Sequence, residues 1–297
     1  MKPEKVSSTP HFPASVSRKD ALAIFRQNLT AAGFETAALD SRLLLTRALG
    51  ITPNELIIND HVAIPPDQIV TLELYLNRRL QGESVARITG FREFWGLPFQ
   101  LGSDTLEPRP DTETLIEAVL DYYPDRQAPL RILDLGTGSG CILISLLTEY
   151  AKAKGTGVDL SASAIKTAKQ NAAANAVDSR SQFLISDWFD KINGTYDLIV
   201  SNPPYIRTDV IPTLSSEVRN FDPDRALDGG ADGLTAYRKI MEQARQYLAH
   251  EAYLGFEIGF DQKEALEKLA SLHGYKFIEC RNDLSNNPRI VVLKRHK

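Results

Sequence analysis

The chain has 297 residues and a formal net charge of −4, and 43% of its residues are hydrophobic while 24% are charged. These values are typical of a soluble globular protein with its own core, and the length favours two domains over one. The acidic balance argues against a broad nucleic-acid-binding face, and no apolar run approaches the roughly 20 residues that span a bilayer. We therefore expect neither a direct nucleic-acid partner nor a membrane partner.

The N-terminal residues and the cysteines indicate a compartment. Residues 1–17 are polar and contain prolines, without the apolar core of a signal peptide. We expect residues 1–14 to form a flexible tail. Cys141 and Cys280 are far apart and match no zinc or redox spacing, so both are interpreted as reduced packing residues. Together these features favour a cytoplasmic protein.

Residues 15–90 have the pattern of a small helical domain, because apolar residues recur at helical spacing between capping residues and glycine stops. The pair Arg78 and Arg79 is interpreted as part of a solvated helix face, with contact to a partner as the alternative. The domain carries no catalytic constellation, so its expected role is substrate recognition or scaffolding. The predicted helices run from Ser17 to Gly33, from about Thr36 to Gly50 and from Pro66 to Gly82, and a short turn follows from Ser84 to Gly90. A further short helix is predicted to start at Thr52, which forms a capping box with Glu55.

The chain changes character after this domain. Aromatic and aliphatic residues alternate loosely around Gly96 and Pro98, which predicts a β-hairpin linker over residues 91–104. The hairpin is expected to join the helical domain to the rest of the chain.

A proline-stiffened stretch over residues 107–113 precedes a helix that is predicted to end near Tyr122. Asp111 or Thr112 is the expected N-cap of that helix. Arg109 lies between two prolines and cannot be a helix-surface charge. We expect it to bind a carboxylate, either that of a structural Asp or that of a cofactor.

From Arg131 onward, predicted strands alternate with predicted helices. This alternation predicts a mainly parallel sheet of seven strands covered on both faces, as the core of a domain over residues 105–297. The last two strands follow each other without a helix, so we expect them to pair antiparallel at one edge. The predicted strands are 131–135, 155–160, 181–186, 196–201, 252–258, 275–281 and 289–295.

The first of these strands ends in a glycine-rich turn. Its glycines let the backbone approach a ligand, and the following helix offers free N–H groups. A dinucleotide fold also uses such a turn, but these glycines fall at every second position rather than in the dinucleotide spacing. Asp134 precedes the turn, where a carboxylate would repel a pyrophosphate but suits an ammonium group, directly or through water. The turn comprises Gly136, Thr137, Gly138, Ser139 and Gly140.

Acidic residues also follow the next two strands. Asp159 is placed to accept both ribose hydroxyls of an adenosine, with a helix N-cap beside Ser161 as the alternative. Asp187 can accept from an adenine amino group and Trp188 can cover the ring, with a buried packing Trp as the alternative. Three strand ends thus describe an amino acid, a ribose and an adenine without a phosphate site. These are the parts of S-adenosylmethionine.

The fourth strand ends at Asn202, Pro203, Pro204 and Tyr205. Two prolines lack backbone N–H groups and have fixed φ, so the loop is stiff and rich in acceptors. A planar –NH₂ group suits it, because two N–H donors meet two acceptors beside an aromatic face. The alternative is a surface Asn-Pro turn, which is common for that pair alone.

With these motifs the chain resembles the protein-(glutamine-N5) methyltransferases of the HemK/PrmC type, which modify peptide chain release factors. Glu107 and Asp111 depart mildly from the family pattern. The resemblance implies an α/β fold with a seven-stranded Rossmann-like methyltransferase sheet, mostly parallel with one antiparallel edge strand. It also implies S-adenosylmethionine as cofactor and the Gly-Gly-Gln loop of release factors as partner. The matching features are the helical N-terminal module, Gly90 with residues 94–97, and residues 108–113, 136–140, 187–189, 202–206 and 282–284.

The expected site follows from the residues and the resemblance together. Asn202, Pro203 and Tyr205 are the predicted catalytic residues, and with Pro204 they are expected to hold the acceptor glutamine. A neutral thioether leaves, so no metal is expected, and the five histidines are interpreted as surface or structural. The predicted cofactor-binding residues are Gly136, Thr137, Gly138, Ser139, Gly140, Asp159, Asp187, Trp188 and Asn202.

Three alternatives and two further expectations remain. N5-glutamine methylation of a ribosomal protein and amino-methylation of adenine or guanine both use a planar –NH₂ group. A nicotinamide-dependent oxidoreductase would use the glycine turn but gives the Asn202 loop no role. The long polar segment 206–233 is expected to line the substrate channel, because loops of this length are usually functional. A monomer is expected.

Overall fold

The structure, a computed structural model, describes residues 11–295. The chain divides into two compact units, Met1–Gly90 and Phe91–Lys297. Most of the predicted tail over residues 1–14 lies outside the described residues. Phe12 falls within that predicted tail, yet it is buried against Phe25 with the ring centroids 5.7 Å apart. The packed chain therefore begins earlier than the sequence predicts, because an aromatic side chain anchors it.

The described part of the first unit is helical, as its sequence pattern predicts. Ser17 accepts a hydrogen bond from the backbone of Asp20, and Thr52 and Glu55 form the complete capping box that their spacing indicates. Apolar side chains from all five of the helices given below, Phe25 among them, form its core. The helices are α1 Arg18–Ala31, α2 Ala37–Leu49, α3 Pro53–Ile58, α4 Pro66–Leu80 and α5 Val85–Thr89.

The interpretation of Arg78 and Arg79 as a solvated helix face is wrong. Arg79 is only 5% exposed; its Nε donates to Oδ2 of Asp40 over 2.8 Å, and its guanidinium lies 4.2 Å from the ring centroid of Phe34. Arg78 pairs with Glu83 at 2.5 Å. Both arginines stabilise the helical unit internally.

The second unit begins with an antiparallel hairpin formed by β1 Phe91–Phe94 and β2 Leu97–Gln100. Trp95 and Gly96 make its turn with positive φ angles of 54° and 68°. The indole nitrogen of Trp95 donates to Glu149 over 2.8 Å, and the backbone N–H of Gln100 donates to Asn171 over 2.8 Å. These contacts fasten the hairpin to the second unit.

The main sheet of the second unit has seven strands in the order β5-β4-β3-β6-β7-β9-β8. Strand β9 runs antiparallel to both β7 and β8, so the last two strands pair antiparallel at one edge of the sheet, as predicted. Strands β4 and β5 are added on one side of β3, and β6 and β7 are added on its other side. Open α/β sheets form a crevice at their carboxyl edge where the strand order switches sides in this way. The strands are β3 Arg131–Leu135, β4 Lys154–Asp159, β5 Ser181–Ile185, β6 Tyr196–Ser201, β7 Leu248–Glu257, β8 Tyr275–Asn282 and β9 Pro288–Arg295.

Helices cover both faces of this sheet. Along β6, Leu198 and Val200 belong to one apolar core, while Ile199 between them belongs to the other. A strand buried on both faces explains why β6 is a continuous apolar run rather than an alternating one. The helices are α6 Glu113–Tyr122, α7 Cys141–Glu149, α8 Ala162–Ala174, α9 Ser216–Phe221, α10 Asp224–Leu227, α11 Thr235–Ala244 and α12 Lys263–Leu272.

Strand β7 begins at Leu248, before the predicted start at residue 252. The pairing of β7 with β6 is interrupted after Leu248 and resumes at Tyr253, and Glu251 in the gap has a φ of 65°. Because this irregularity breaks the sequence pattern of a strand, the predicted strand begins too late. Across residues 11–295, no helix has the length and apolar character required to cross a membrane.

Candidate active site

The carboxyl ends of the central strands open onto a cavity of about 310 Å³. Its wall includes most of the residues that the sequence predicts for the site. Gly140, Pro203 and Tyr205 lie next to this wall in the chain but do not form part of it. The predicted residues on the wall are Gly136, Thr137, Gly138, Ser139, Asp159, Asp187, Trp188, Asn202 and Pro204.

The glycine turn after β3 is held by hydrogen bonds to acidic side chains. The backbone N–H of Gly138 donates to Oδ2 of Asp159 over 3.0 Å, and the hydroxyl of Thr137 donates to Oδ2 of Asp134 over 2.6 Å. Gly140 has a φ of 81°, and a Cβ there would lie 2.9 Å from Ile144. The turn therefore requires glycine for both its backbone angle and its contact with the following helix.

Asp134 lies behind the turn rather than on the cavity wall. Its side chain is 0% exposed, and within residues 11–295 its Oδ1 atom has no hydrogen-bond partner. Burial raises the pKa of Asp134 to about 7, while the hydrogen bond from Thr137 acts in the opposite direction. An unpartnered buried carboxylate oxygen is costly, which favours the protonated form of this side chain, and a ligand in the cavity does not reach it.

Asp159 is not the N-cap of α8. Ser161 fulfils that role, since its hydroxyl accepts from the backbone N–H of Ala164, while Asp159 accepts from the backbone N–H of Ser161 over 2.8 Å. Burial raises the pKa of Asp159 and its two backbone hydrogen bonds lower it. The carboxylate is on the cavity wall, where a hydroxyl-bearing ligand can reach it.

Trp188 is half-buried and also lies on the cavity wall, beside the glycine turn. A Cβ on Gly136 would lie 3.9 Å from the indole atom Cζ3. Trp188 has a positive φ of 40°, which is rare for a bulky residue and marks a constrained backbone. Neighbouring Asp187 is exposed at the same wall.

The side chain of Asn202 is fixed by a buried carboxylate that the sequence did not single out. Its Nδ2 donates to Oε2 of Glu257 over 2.8 Å. The hydroxyl of Thr112 donates to the same oxygen over 2.5 Å, and the hydroxyl of Tyr205 donates to Oε1 over 3.2 Å. Because an ionised carboxylate only accepts hydrogen bonds, the amide nitrogen of Asn202 must face it. The amide oxygen is thereby left as the acceptor for a ligand.

Glu257 ends β7 and is 2% exposed. Burial raises its pKa, while the hydrogen bond from Thr112 and the charge of Arg289 lower it. The available sequence signal was a single acidic residue within an otherwise apolar run from Ala252 to Ile258. A carboxylate in a buried strand requires partners, so this position could have been added to the candidate site.

Thr112 occupies the N-cap position of α6, as one of the two predicted alternatives, but its side chain makes no capping hydrogen bond. A short 3₁₀ turn over Pro110–Thr112 leads into the helix. The Thr112 hydroxyl is used by Glu257 rather than by the helix. Tertiary contact with the site therefore overrides the local capping preference.

Arg109 binds a structural carboxylate, which was one of the two alternatives for it. Its Nη2 atom lies 2.6 Å from Oδ2 of Asp222, whose side chain is 3% exposed. Asp222 belongs to the polar segment 206–233, which contains α9 and α10. That segment returns to the cavity and contributes Arg225, Ala226 and Asp228 to its wall.

Comparison with known proteins identifies the family. The family model described as the PrmC N-terminal domain matches residues 20–90, and the model described as the Methyltransferase small domain matches residues 112–215. A release factor glutamine methyltransferase of Agrobacterium fabrum is 44% identical over 273 residues, which cover 91% of this chain and 94% of that protein. The chain belongs to the release factor glutamine methyltransferase family. Another relative of the same name, from Bradyrhizobium diazoefficiens, is 45% identical and covers 90% of this chain and 91% of its own.

Family membership confirms the resemblance found in the sequence, and it confirms the methyltransferase class over the oxidoreductase alternative. A solved structure, the catalytic domain of hMettl16 in complex with an RNA hairpin, superposes with a TM-score of 0.55 at 18% identity. It covers 71% of this chain and 81% of its own. That likeness supports the fold: the seven-stranded Rossmann-like methyltransferase sheet is confirmed.

Proposed function

We propose that the protein transfers a methyl group from S-adenosylmethionine to the side-chain amide nitrogen, N5, of the glutamine in the Gly-Gly-Gln loop of peptide chain release factors. The observation that supports this most directly is the hydrogen bond from Asn202 to Glu257, which leaves the Asn202 amide oxygen as an acceptor at the cavity. An –NH₂ group is the complement of that acceptor. The relatives from Agrobacterium fabrum and Bradyrhizobium diazoefficiens are named for the same activity.

The residues around the cavity fit the proposed cofactor. A volume of about 310 Å³ is within the range of small-molecule sites. A Cβ on Gly138 would meet open space, so the turn leaves room for a ligand against its backbone. The carboxylate of Asp159 on the cavity wall suits the ribose hydroxyls. Trp188 offers an aromatic face for adenine.

We assign the cofactor and acceptor residues accordingly. Asn202, Pro203, Pro204 and Tyr205 hold the acceptor glutamine. Gly136, Thr137, Gly138, Ser139, Gly140, Asp159, Asp187, Trp188 and Asn202 bind S-adenosylmethionine. Gly140, Pro203 and Tyr205 are assigned although they are not part of the cavity wall of this structure. Gly140 sets the shape of the turn, and we propose that Pro203 and Tyr205 offer the acceptor a backbone carbonyl and an aromatic face.

The proposed mechanism depends on orientation. When bound, S-adenosylmethionine supplies an activated methyl group on a sulfonium and leaves as a neutral thioether. A carboxamide nitrogen is a poor nucleophile because its lone pair is delocalised into the carbonyl. The side-chain oxygen of Asn202 and the backbone carbonyl of Pro203 accept hydrogen bonds from the two N–H groups of the glutamine amide. These bonds fix the direction of the amide nitrogen. Such positioning can lower a barrier by about 7–11 kcal/mol relative to a bimolecular encounter.

The same acceptors also act on charge. Positive charge develops on the acceptor nitrogen as the S–CH₃ bond breaks and the N–CH₃ bond forms, and oxygen atoms that already face the nitrogen stabilise that charge without reorganising. The nitrogen then releases one proton to water, which leaves a neutral N-methyl amide. Tyr205 adds the π face of its ring. Its hydroxyl donates to Glu257, and burial raises its pKa, so the phenol stays neutral.

Substrate recognition is assigned to the rest of the chain. We propose that the helical domain over residues 15–90 binds the release factor, and that segment 206–233 lines the channel through which the Gly-Gly-Gln loop reaches Asn202. The hairpin over residues 91–104 joins the helical domain to the domain over residues 105–297. We propose that the protein acts in the cytoplasm as a monomer, without direct nucleic-acid contact.

The test is a competition for labelled methyl groups. The protein is incubated with S-adenosylmethionine labelled in the methyl group, together with purified release factor, ribosomal proteins, DNA and RNA in separate and mixed reactions. We expect the label in release factor, with release factor carrying alanine for the glutamine as the control that stays unlabelled. Label in a ribosomal protein or in nucleic acid, with none in release factor, would contradict the proposal.

A further inference from the structure

Glu257 is a buried carboxylate that accepts hydrogen bonds from three side chains. It lies at the end of β7, and its two oxygens accept from Thr112, Asn202 and Tyr205, which come from two separate parts of the chain. Two of these partners, Asn202 and Tyr205, belong to the loop that is proposed to hold the acceptor. An apolar side chain such as Ala or Leu at this position would pack without the cost of burying a charge.

The direction of one hydrogen bond decides the chemistry of the loop. A side-chain amide has a donor end and an acceptor end, and either can face a ligand. An ionised carboxylate cannot donate, so Glu257 binds the nitrogen end of Asn202 over 2.8 Å. The oxygen end is directed the other way. With a donor in place of Glu257, the amide would rotate and present its –NH₂ group instead.

We infer that Glu257 is a positioning residue that determines the selectivity of the site for a carboxamide over a carboxylate. This rests on the proposed function. A glutamine side chain offers N–H donors to the Asn202 oxygen, whereas a glutamate side chain offers only acceptors, which that oxygen repels. Glu257 therefore sets which of the two side chains the loop accepts, without touching either.

The surrounding charges are consistent with this role. Arg289 lies beside Tyr205, with its Nη1 atom 3.5 Å from the tyrosine hydroxyl. Its Nη2 atom is 3.1 Å from Oδ2 of Asp283 and 3.5 Å from Oδ2 of Asp111. Arg289 thus balances the negative charge of Glu257 within the buried cluster. The network holds Glu257 in place and keeps its oxygens available as acceptors.

The experiment compares two peptides as ligands for the full chain. One contains Gly-Gly-Gln and the other contains Gly-Gly-Glu, and each is measured as a competitive inhibitor of release factor methylation. The variants are Glu257→Ala, which removes the acceptor, and Glu257→Gln, which keeps one acceptor oxygen for Asn202. Asp283→Asn is the matched control, because it alters a buried carboxylate on the same Arg289 but has no bond to Asn202.

For Glu257→Ala we expect kcat to fall by about a hundredfold and the preference for the glutamine peptide to shrink by at least about tenfold. The Kd of S-adenosylmethionine should stay within about threefold, because the glycine turn is untouched. Glu257→Gln should keep most of the preference, and Asp283→Asn should keep all of it. A purely structural role would instead lower stability and cofactor binding while leaving the peptide preference as it is.

An unchanged preference in Glu257→Ala would overturn the inference, as would loss of cofactor binding in step with kcat. These results are distinguishable from a failure of the proposed function. If the wild-type chain itself methylates no release factor, the proposed function fails. If the wild type methylates it and prefers the glutamine peptide, but Glu257→Ala does so equally, only the role of Glu257 fails.

Discussion

The guanidinium of Arg109 lies 2.6 Å from the carboxylate of Asp222 and ties two distant segments together at the cavity. Arg109 comes from the proline-stiffened stretch before α6, and Asp222 comes from segment 206–233. The arginine side chain is 35% exposed whereas that of Asp222 is 3% exposed. Removing Arg109 therefore leaves a buried carboxylate without its charged partner, which is far more costly than losing an exposed pair.

Arg109→Ala is expected to loosen segment 206–233 and to raise KM for release factor by about tenfold, with a smaller change in the Kd of S-adenosylmethionine. Steady-state kinetics and isothermal calorimetry measure the two quantities. Arg207→Ala is the control, because the pair between Arg207 and Asp209 is exposed on the same segment. Equal weakening of release factor and cofactor would contradict a channel role for the segment.

Gly233→Ala is expected to lower kcat, although Gly233 is not a residue of the acceptor loop. Its φ is 72°, and a Cβ there would lie 2.5 Å from the carbonyl oxygen of Tyr205. The loop must shift to accommodate the methyl group. The matched control is Gly33→Ala, since Gly33 has a similar φ of 84° but open space around its Cβ position. Both variants should lose stability, and only Gly233→Ala should lose activity.

Asn202→Ala is expected to leave S-adenosylmethionine binding measurable while transfer falls at least about a hundredfold, because one of the two acceptors for the –NH₂ group is gone. Calorimetry gives the binding constant and single-turnover kinetics gives the transfer rate. Turnover near that of the wild type would remove Asn202 from the mechanism.

Asp134 predicts a pH dependence of stability. Burial raises its pKa to about 7 in the folded chain, and a free Asp titrates near about 3.9. Below about pH 4 both states hold the proton, so the contribution of this group to stability is fully present there. Between about pH 4 and pH 7 the folded chain retains a proton that the unfolded chain has lost. Stability therefore falls with rising pH, by at most about 1.4 kcal/mol per pH unit.

Asp134→Asn removes this titration. Thermal unfolding of the cofactor-free variant and wild type should show the variant gaining relative to the wild type as pH rises from about 4 to about 7, with no further gain above that. A difference in melting temperature that stays constant across this range would contradict a neutral, buried Asp134.

Local signals made much of this fold predictable. The capping box at Thr52 and Glu55 forms as its spacing predicts, because both of its bonds lie within four residues. The glycine turn and the proline-locked loop at Asn202 likewise carry their geometry in their own residues. The buried strand β6 was recognisable because both of its faces are apolar.

The remainder depends on contacts that are distant in sequence. Thr112 has the sequence position of a helix cap, but its hydroxyl donates a hydrogen bond to Glu257, which is 145 residues away in the chain. Glu257 itself reads as an isolated acid until Asn202 and Tyr205 are placed around it. The start of β7 was missed because the strand is irregular opposite β6, and only the pairing with Tyr196 identifies Leu248 as part of it.

The most direct test of the central claim is to locate the methyl group by tandem mass spectrometry on release factor treated with this protein and S-adenosylmethionine. We predict a single methyl on the side-chain nitrogen of the glutamine in the Gly-Gly-Gln peptide, absent when the Asn202→Ala variant replaces the wild type. A methyl group on any other residue, or an unmodified Gly-Gly-Gln peptide after full incubation with active protein, would contradict the claim that the Asn202 loop holds a glutamine amide for methylation.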